Sequence, residues 1–357
     1  MSMLSSLSAV DVAVDAMGGD GAPTVPIQAA IQAARDGVRV ALVGDERIIE
    51  SKLRKFGGRN ISTLRIVHAE QVIRMDEKPS RAIRQKPNSS IRVAARMVAE
   101  KDARAMLSSG NSGAVMAAGL FDIGRIAGVQ RPAIAASIPT RKEPTVLIDL
   151  GANTDPTPIQ LSQFAVMGHA YAKTVLRRSH PRVALLANGS EETKGNDLTR
   201  ATHELLSQTE MDYLGYCEGR DIFEGDIDVI VSDGFTGNIL LKTMEGLIST
   251  VRDLLERRAR KSMIANASAL LMKDILRRVL KDLNYETAGA APLLGLRRRC
   301  LVAHGASSVT ALTNAIHAAD QMAGTRIVEM IEDNILRHAK LGLWPEARPA
   351  DETIESN

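Results

Sequence analysis

The feature that most constrains this chain is a repeated junction: a short apolar run ends in a polar turn containing glycine, and a helical pattern follows. Val10 to Ala16 runs into Met17-Gly18-Gly19-Asp20-Gly21 and then a helix over Pro23 to Ala34. Ala105 to Ser108 runs into Ser109-Gly110-Asn111-Ser112-Gly113 and a helix over Ala114 to Arg125. Thr145 to Asp149 ends in Gly151-Ala152-Asn153, and Ile227 to Ser232 ends in Asp233-Gly234-Phe235-Thr236-Gly237-Asn238. Val38 to Val43, Ile61 to His68, Arg182 to Ala187 and Cys300 to Ala303 read as further strands. Ser89 to Lys101, Leu198 to Leu206 and Val309 onward read as further helices. Parallel strands need a crossover between them, and a helix is the usual one. The expected fold is α/β with a mostly parallel sheet over 10–345, with a helical hairpin at 245–285 and a disordered tail at 346–357.

Length and composition fit one large α/β domain with an insertion, or two lobes, around a sizeable core. Hydrophobic residues make up 45% of 357, while aromatics make up only 3%, so Ala, Val, Ile, Leu and Met must fill the interior. So few aromatics argue against base stacking on single-stranded nucleic acid. A net charge of +3 names no polyanionic partner. Cys217 and Cys300, the two cysteines, give neither a disulfide framework nor a metal site, and a reducing cytoplasm is the expectation. Met1 to Ala9 lacks the basic and apolar regions of a secretory signal.

In open parallel sheets ligands bind beyond the carboxyl ends of strands. Glycine lets backbone approach a ligand, and a helix starting there presents free N–H groups. The four glycine turns, taken as sharing one sheet edge, predict an anion-binding cleft. Its candidates are Gly18, Gly19, Asp20, Ser109, Gly110, Asn111, Ser112, Gly113, Gly151, Asn153, Asp233, Gly234 and Gly237. No turn matches a Walker P-loop or a dinucleotide fingerprint. Lys194, in a loop between a strand and a helix, is either a cation beside phosphate or a solvated surface charge. Asn238 is either an oxyanion donor, a helix N-cap, or both. His304 follows the last strand and either touches substrate or makes a structural hydrogen bond. Cys217 as a nucleophile needs an activating base and exposure, and a small buried residue is the simpler reading. Glu191 and Glu192 match no metal-binding pattern, and no metal or other cofactor is expected.

At these turns the chain resembles a family. Asp15 to Asp20, Ser109 to Ala114, Glu191 to Asn196, Glu218 to Phe223, Ser232 to Asn238 and Ala291 to Gly295 are similar to segments of the bacterial phosphate acyltransferases, the PlsX family. They occur in order from about Asp11 to about Ala318. The resemblance implies a single three-layer α/β/α domain, with a fold related to phosphotransacetylases and isopropylmalate dehydrogenase-like enzymes. It implies acyl transfer from acyl carrier protein to inorganic phosphate, with Lys194 and Asn238 as catalytic residues. It also implies a homodimer in the cytoplasm, loosely attached to the membrane, where a glycerol-3-phosphate acyltransferase would consume the product. The chain departs from the family pattern at Asn188-Gly189-Ser190, at Ala288-Gly289-Ala290 and at Arg297-Arg298-Arg299, a basic turn where a shorter one is common. These departures bear on acyl-chain preference and the rim of the site. Rival readings are an NAD-dependent hydroxy-acid dehydrogenase, which needs an aspartate cluster not found here, and a noncatalytic membrane- or nucleic-acid-binding protein.

Met272, Ile275, Leu276, Val279, Leu280 and Leu283 share one helical face, edged by Lys273, Arg277, Arg278 and Lys281. An apolar stripe flanked by cations suits an interfacial helix, and also a helix packed on a partner subunit. The expected behaviour is weak binding to anionic vesicles that fades as salt rises. Replacing Leu276 and Leu280 with Glu should abolish vesicle binding and spare turnover. Collapse of that double variant into inactive monomers would instead make the helix a subunit interface.

Overall fold

The computed structural model describes residues 9–259 and 289–345. The expected hairpin beyond 259, with its apolar face, and the tail over 346–357 lie outside the described residues. The strands are β1 Val10–Asp15, β2 Val40–Gly44, β3 Leu64–His68, β4 Ala103–Ser108, β5 Ala133–Ile138 and β6 Thr145–Ile148. They continue with β7 Arg182–Leu186, β8 Asp212–Cys217, β9 Val229–Val231, β10 Ala291–Leu294 and β11 Arg299–Val302. The helices are α1 Thr24–Arg35, α2 Glu46–Phe56, α3 Pro79–Gln85, α4 Ser90–Ala99, α5 Ser112–Ala118 and α6 Pro158–Thr174. They continue with α7 Asp197–Leu206, α8 Gly234–Ala259, α9 Val309–Ala323 and α10 Ile327–Lys340.

All strands join one sheet in the order β3-β2-β1-β4-β11-β10-β5-β6-β9-β7-β8. The first five of that order are mutually parallel. Strand β10 is antiparallel to both β11 and β5, and β5 is antiparallel to β6. From β6 outward through β9, β7 and β8 the strands are parallel again. Three successive reversals leave the two parallel groups pointing in opposite directions. This corrects the expectation of one shared edge: the Gly18 and Ser109 turns emerge at one edge, the Gly151 and Asp233 turns at the other.

The layering follows from side-chain alternation. One face carries a continuous apolar layer, in which Val12, Leu42, Ala133, Ala135 and Val229 meet Ile27 of α1, Phe164 of α6, Ile316 of α9 and Ile335 of α10. The opposite face is covered by two separate cores. Ala13, Ala41 and Met106 pack under α4 and α5, while Leu147, Ala184 and Ile230 pack with Met244 of α8. Ile134 of β5 borders both, so the gap between these cores falls over the strands that reverse direction.

Local chemistry sets the element ends. Asp45 caps α2 by accepting from Ile48 N at 3.1 Å, and Gly57 closes it with φ of 71°. A capping box between Thr157 and Gln160 starts α6. That helix is apolar nearly all round and buried, so it carries no amphipathic signal and escaped the sequence reading. The helix expected over Ala114 to Arg125 is α5 followed by a π turn, Gly119–Ile123, which ends at Gly124 with φ of 82°. Asp122 in that turn takes a bidentate pair from Arg92 of α4, at 2.6 and 2.8 Å.

Burial holds the pKa of His169, on α6, down at about 4, helped by the charges of Lys173 and His338. A histidine whose folded pKa lies below its unfolded value of about 6.5 contributes stability above that value and loses it as pH falls toward 4. His169→Gln should therefore flatten the loss of stability between pH 6.5 and 4.5, by at most about 3 kcal/mol. Urea melts of both proteins at the two pH values check this, and equal losses would refute it.

Candidate active site

Two buried carboxylates organise the strand ends. Asp15 closes β1, and its Oδ2 accepts from Ser108 Oγ at 2.7 Å while Oδ1 accepts from Met17 N at 3.1 Å. Ser108 Oγ accepts in turn from Gly110 N at 3.1 Å, and Ser109 Oγ donates to Gly18 O at 2.9 Å. A Cβ on Gly18 would stand 2.7 Å from Gly110 N, so only glycine lets these two turns meet. Asp149 follows β6 and accepts from Ile134 N, Ala152 N, Asn153 N and Asn153 Nδ2 at 2.7 to 3.1 Å. Burial raises the pKa of both carboxyls, and the hydrogen bonds pull against it.

A cavity of about 270 Å³ occupies the gap between the two cores. Ile134, Ala136, Leu150, Leu241 and Val302 give it apolar walls. Ser112, Ser137, His304 and Ser307 are polar lining from the edge where β4 and β11 end. Gly151 belongs to the opposite edge, and α8 passes the cavity with Asn238, Leu241, Lys242 and Glu245, at i, i+3, i+4 and i+7 on one helical face. Lys242 Nζ pairs with Glu245 at 2.8 Å. His304 Nδ1 accepts from Ala306 N at 3.1 Å, which leaves the Nε2 proton of the neutral ring as its remaining donor. The amide of Asn238 makes no hydrogen bond with the described residues and lies against Gly151, whose added Cβ would be 3.5 Å from Asn238 Oδ1.

Four of the expected residues, Ser112, Gly151, Asn238 and His304, thus line one cavity despite coming from opposite edges. The others stand behind it. Asn111 caps α5 through Ala114 N and spends its amide on Met75 O and Glu77 O. Asn153 donates to Pro132 O at 2.9 Å and to Asp149. Asp20 N donates to Gly305 O, and Gly234 N donates to Asn153 O. Asp233 is the cap of α8, with Oδ1 accepting from Thr236 N at 2.8 Å. The N-cap reading of Asn238 is therefore corrected: it lies in the second turn of that helix. Lys194 is half-buried against Gly189, in a loop that Gly195 N pins to Asn188 Oδ1 at 2.9 Å. It stands on the edge that bears Gly151, outside the lining. Both cysteines are buried, and burial pushes their thiols up to about 12. Among the described residues no cluster of three His, Cys, Asp or Glu side chains is placed to hold a metal ion.

The family model described as "Fatty acid synthesis protein" matches residues 10–330. The phosphate acyltransferase of Syntrophotalea carbinolica is 45% identical over 333 residues, 93% of this chain and 94% of its own length. That of Geobacter sulfurreducens is 44% identical over 311 residues, 87% of this chain and 90% of its own. The chain belongs to the phosphate acyltransferase family. Its fold is that of the phosphotransacetylases: the enzyme from Streptococcus pyogenes superposes with a TM-score of 0.60 at 15% identity, over 88% of this chain and 94% of its own. The phosphotransacetylase from Staphylococcus aureus gives 0.57 at 17% identity, over the same shares.

In this acyltransferase the sequence reading missed Ser137, Lys242 and Ser307. Lys242 was legible as the residue one turn beyond Asn238 on the same helix. The carboxylates were legible through an internal correspondence. Ser108-Ser109-Gly110-Asn111-Ser112-Gly113 matches Ser232-Asp233-Gly234-Phe235-Thr236-Gly237, and each follows a strand that neighbours one leading into a buried aspartate.

A Cβ on Gly237 would meet the backbone O of Asp149 well inside van der Waals contact, whereas one on Gly246 of the same helix meets nothing within 4 Å. Gly237→Ala should displace the start of α8 and lower turnover about tenfold or more, the scale of a misplaced catalytic group. Gly246→Ala should keep activity and gain about 0.5–1 kcal/mol. Equal turnover in the two variants would show that the tight approach at Gly237 does not position Asn238.

Proposed function

We propose that this acyltransferase moves a long-chain fatty acyl group from acyl carrier protein to inorganic phosphate, giving an acyl phosphate for phospholipid synthesis. The observation that carries the reading is the unspent amide of Asn238 in a cavity with apolar walls on one side and Ser112, Ser137, His304 and Ser307 on the other. A thioester with a fatty chain needs the first, and a phosphate needs the second. Phosphate is already anionic, so the protein has to bind it, aim it and stabilise charge arriving on the thioester oxygen. Ser112, Ser307, the Nε2–H of His304 and the Lys242 ammonium hold phosphate. A phosphate oxygen attacks the carbonyl carbon, and Asn238 donates to the carbonyl oxygen as it becomes an oxyanion. The carbon–sulfur bond then breaks, and the carrier thiolate leaves with the electron pair. Lys194 offsets negative charge from the neighbouring edge. Attack is direct, since thiols held near pKa 12 supply no thiolate nucleophile.

The protein works as a homodimer on the membrane surface and passes its product to a membrane-bound glycerol-3-phosphate acyltransferase. An apolar stripe along α8 supports a further contact of this kind: Phe235, Ile239, Leu247, Val251 and Leu254 are 60%, 50%, 63%, 40% and 49% exposed. No described helix is long and apolar enough to cross a membrane.

Purified protein should release carrier protein from its acyl form in a phosphate-dependent way, without ATP, metal or nicotinamide, with acyl phosphate trapped as hydroxamate. Asn238→Ala should lower turnover by about 10²–10³ with the fold intact. Comparing Lys194→Ala with Lys242→Ala identifies the cation that matters. Cys217→Ala and Cys300→Ala should keep most activity. Near-normal turnover in Asn238→Ala and in both lysine variants, or a trapped acyl-cysteine, would overturn this mechanism.

A further inference from the structure

The reversal of strand direction has a consequence for charge. The edge where β6 and β9 end also carries the β10–β11 turn and the segment leading into β5. That places Arg125, Arg131, Arg297 and Arg298 together at the seam. The backbone knits them: Arg297 N donates to Gly124 O, Arg297 Nε donates to Arg125 O, and Arg125 and Leu296 form a β-bridge. Arg125 donates to Gln130 O, and Arg298 to Arg297 O. None of the four pairs with a carboxylate among the described residues, and Arg131 makes no hydrogen bond there at all.

Other arginines on this edge are already neutralised. Arg39 and Arg104 share Asp11 at 2.7 and 3.3 Å, and Arg299 lies 3.7 Å from Glu329. In the other direction Glu191 and Glu192 are exposed on the loop after β7, three strands from β5 and so about 14 Å along the edge. With the half-buried Lys194 in the same loop offsetting one of these two carboxylates, the edge is positive at the seam and weakly negative farther out. An acidic surface is attracted to one place and repelled from the next, which fixes position as well as affinity.

The patch adjoins the cavity. Pro132 O accepts from Asn153 of the Asp149 turn at 2.9 Å, and Ile134 lines the cavity, three residues and at most about 10 Å of chain from Arg131. We propose that Arg125, Arg131, Arg297 and Arg298 are the landing surface for an acidic protein that brings the acyl group on a flexible arm. This deepens the acyl-transfer reading and rests on it for the identity of the donor. Open guanidiniums present forked donors to carboxylates, and such contacts set encounter rate and salt dependence.

The test uses the full chain with Arg297→Glu and Arg298→Glu combined, and separately Arg131→Glu. With a long acyl thioester of acidic acyl carrier protein as donor, each variant should raise KM about tenfold or more with kcat little changed. With the same acyl group on pantetheine, which offers no acidic surface, the variants should match the unaltered protein. Calorimetric titration with the carrier protein reads docking without turnover: the double variant should bind about tenfold more weakly, and binding by the unaltered protein should fade as salt rises. Equal affinity for carrier protein overturns the docking surface whatever turnover shows, and so does an equal loss with both donors. Docking with no transfer from either donor by the unaltered protein supports the surface and refutes the acyl-transfer reading.

Discussion

The burial of Asp149 is the constraint on which the site depends. A carboxylate at the centre of a sheet is costly unless donors surround it. Four N–H groups do so, from Ile134, Ala152 and Asn153. Satisfying them ties β5 to the end of β6, bends the chain into the Gly151 turn and anchors Asn153. Asn153 in turn accepts Gly234 N, at the first residue of α8. The position of Asn238 is thus the last step of a hydrogen-bonded sequence that begins at a buried charge. Asp15 does the same work in the other half, holding Ser108 and through it Gly110.

These turns serve less as an open anion cradle than as a scaffold. Many of their N–H groups are spent on the two aspartates and on neighbouring carbonyls. What faces the cavity is a set of side chains: three serines and a histidine from one edge, an asparagine and a lysine from a helix that starts at the other. Such a set arises because three antiparallel pairings reverse the sheet and divide the cover of one face into two cores. The gap between them is lined in part by small residues, Ala136 and Ala291, which leave room for it.

The same reversal places the cavity and the arginine patch side by side. A single sheet edge bears the carboxyl ends of one parallel group and the amino ends of the other. The Gly151 turn thereby becomes a neighbour of the arginine turn between β10 and β11, although more than 140 residues separate them in sequence. On the proposed acyl-transfer reading, the cavity and the arginine patch lie within reach of one flexible arm, each supplied by a different part of the chain.

The sequence by itself determined the units. Apolar runs ending in glycine turns specify strand–turn–helix, and Val10–Asp15, Ala103–Ser108 and Thr145–Ile148 form close to where their patterns begin and end. Family membership was legible as well, since ordered motifs such as Ser232 to Asn238 and Glu191 to Asn196 survive without any knowledge of their neighbours. Short or uniformly buried elements were not legible: α6 lacks a polar face, β5 is rich in small residues, and β10 is only four residues long with a proline among them. Only the tertiary structure decided which turns meet. Strand direction depends on pairing between segments far apart in the chain, and a local hydrophobic period carries no sign for it. Hence the turns read as one edge are two, Lys194 stands outside the cavity lining, and Lys242 lies within it. Asn238, readable as a cap from its position after a glycine turn, instead has a side-chain amide that makes no hydrogen bond with the described residues, because Asp233 took the cap.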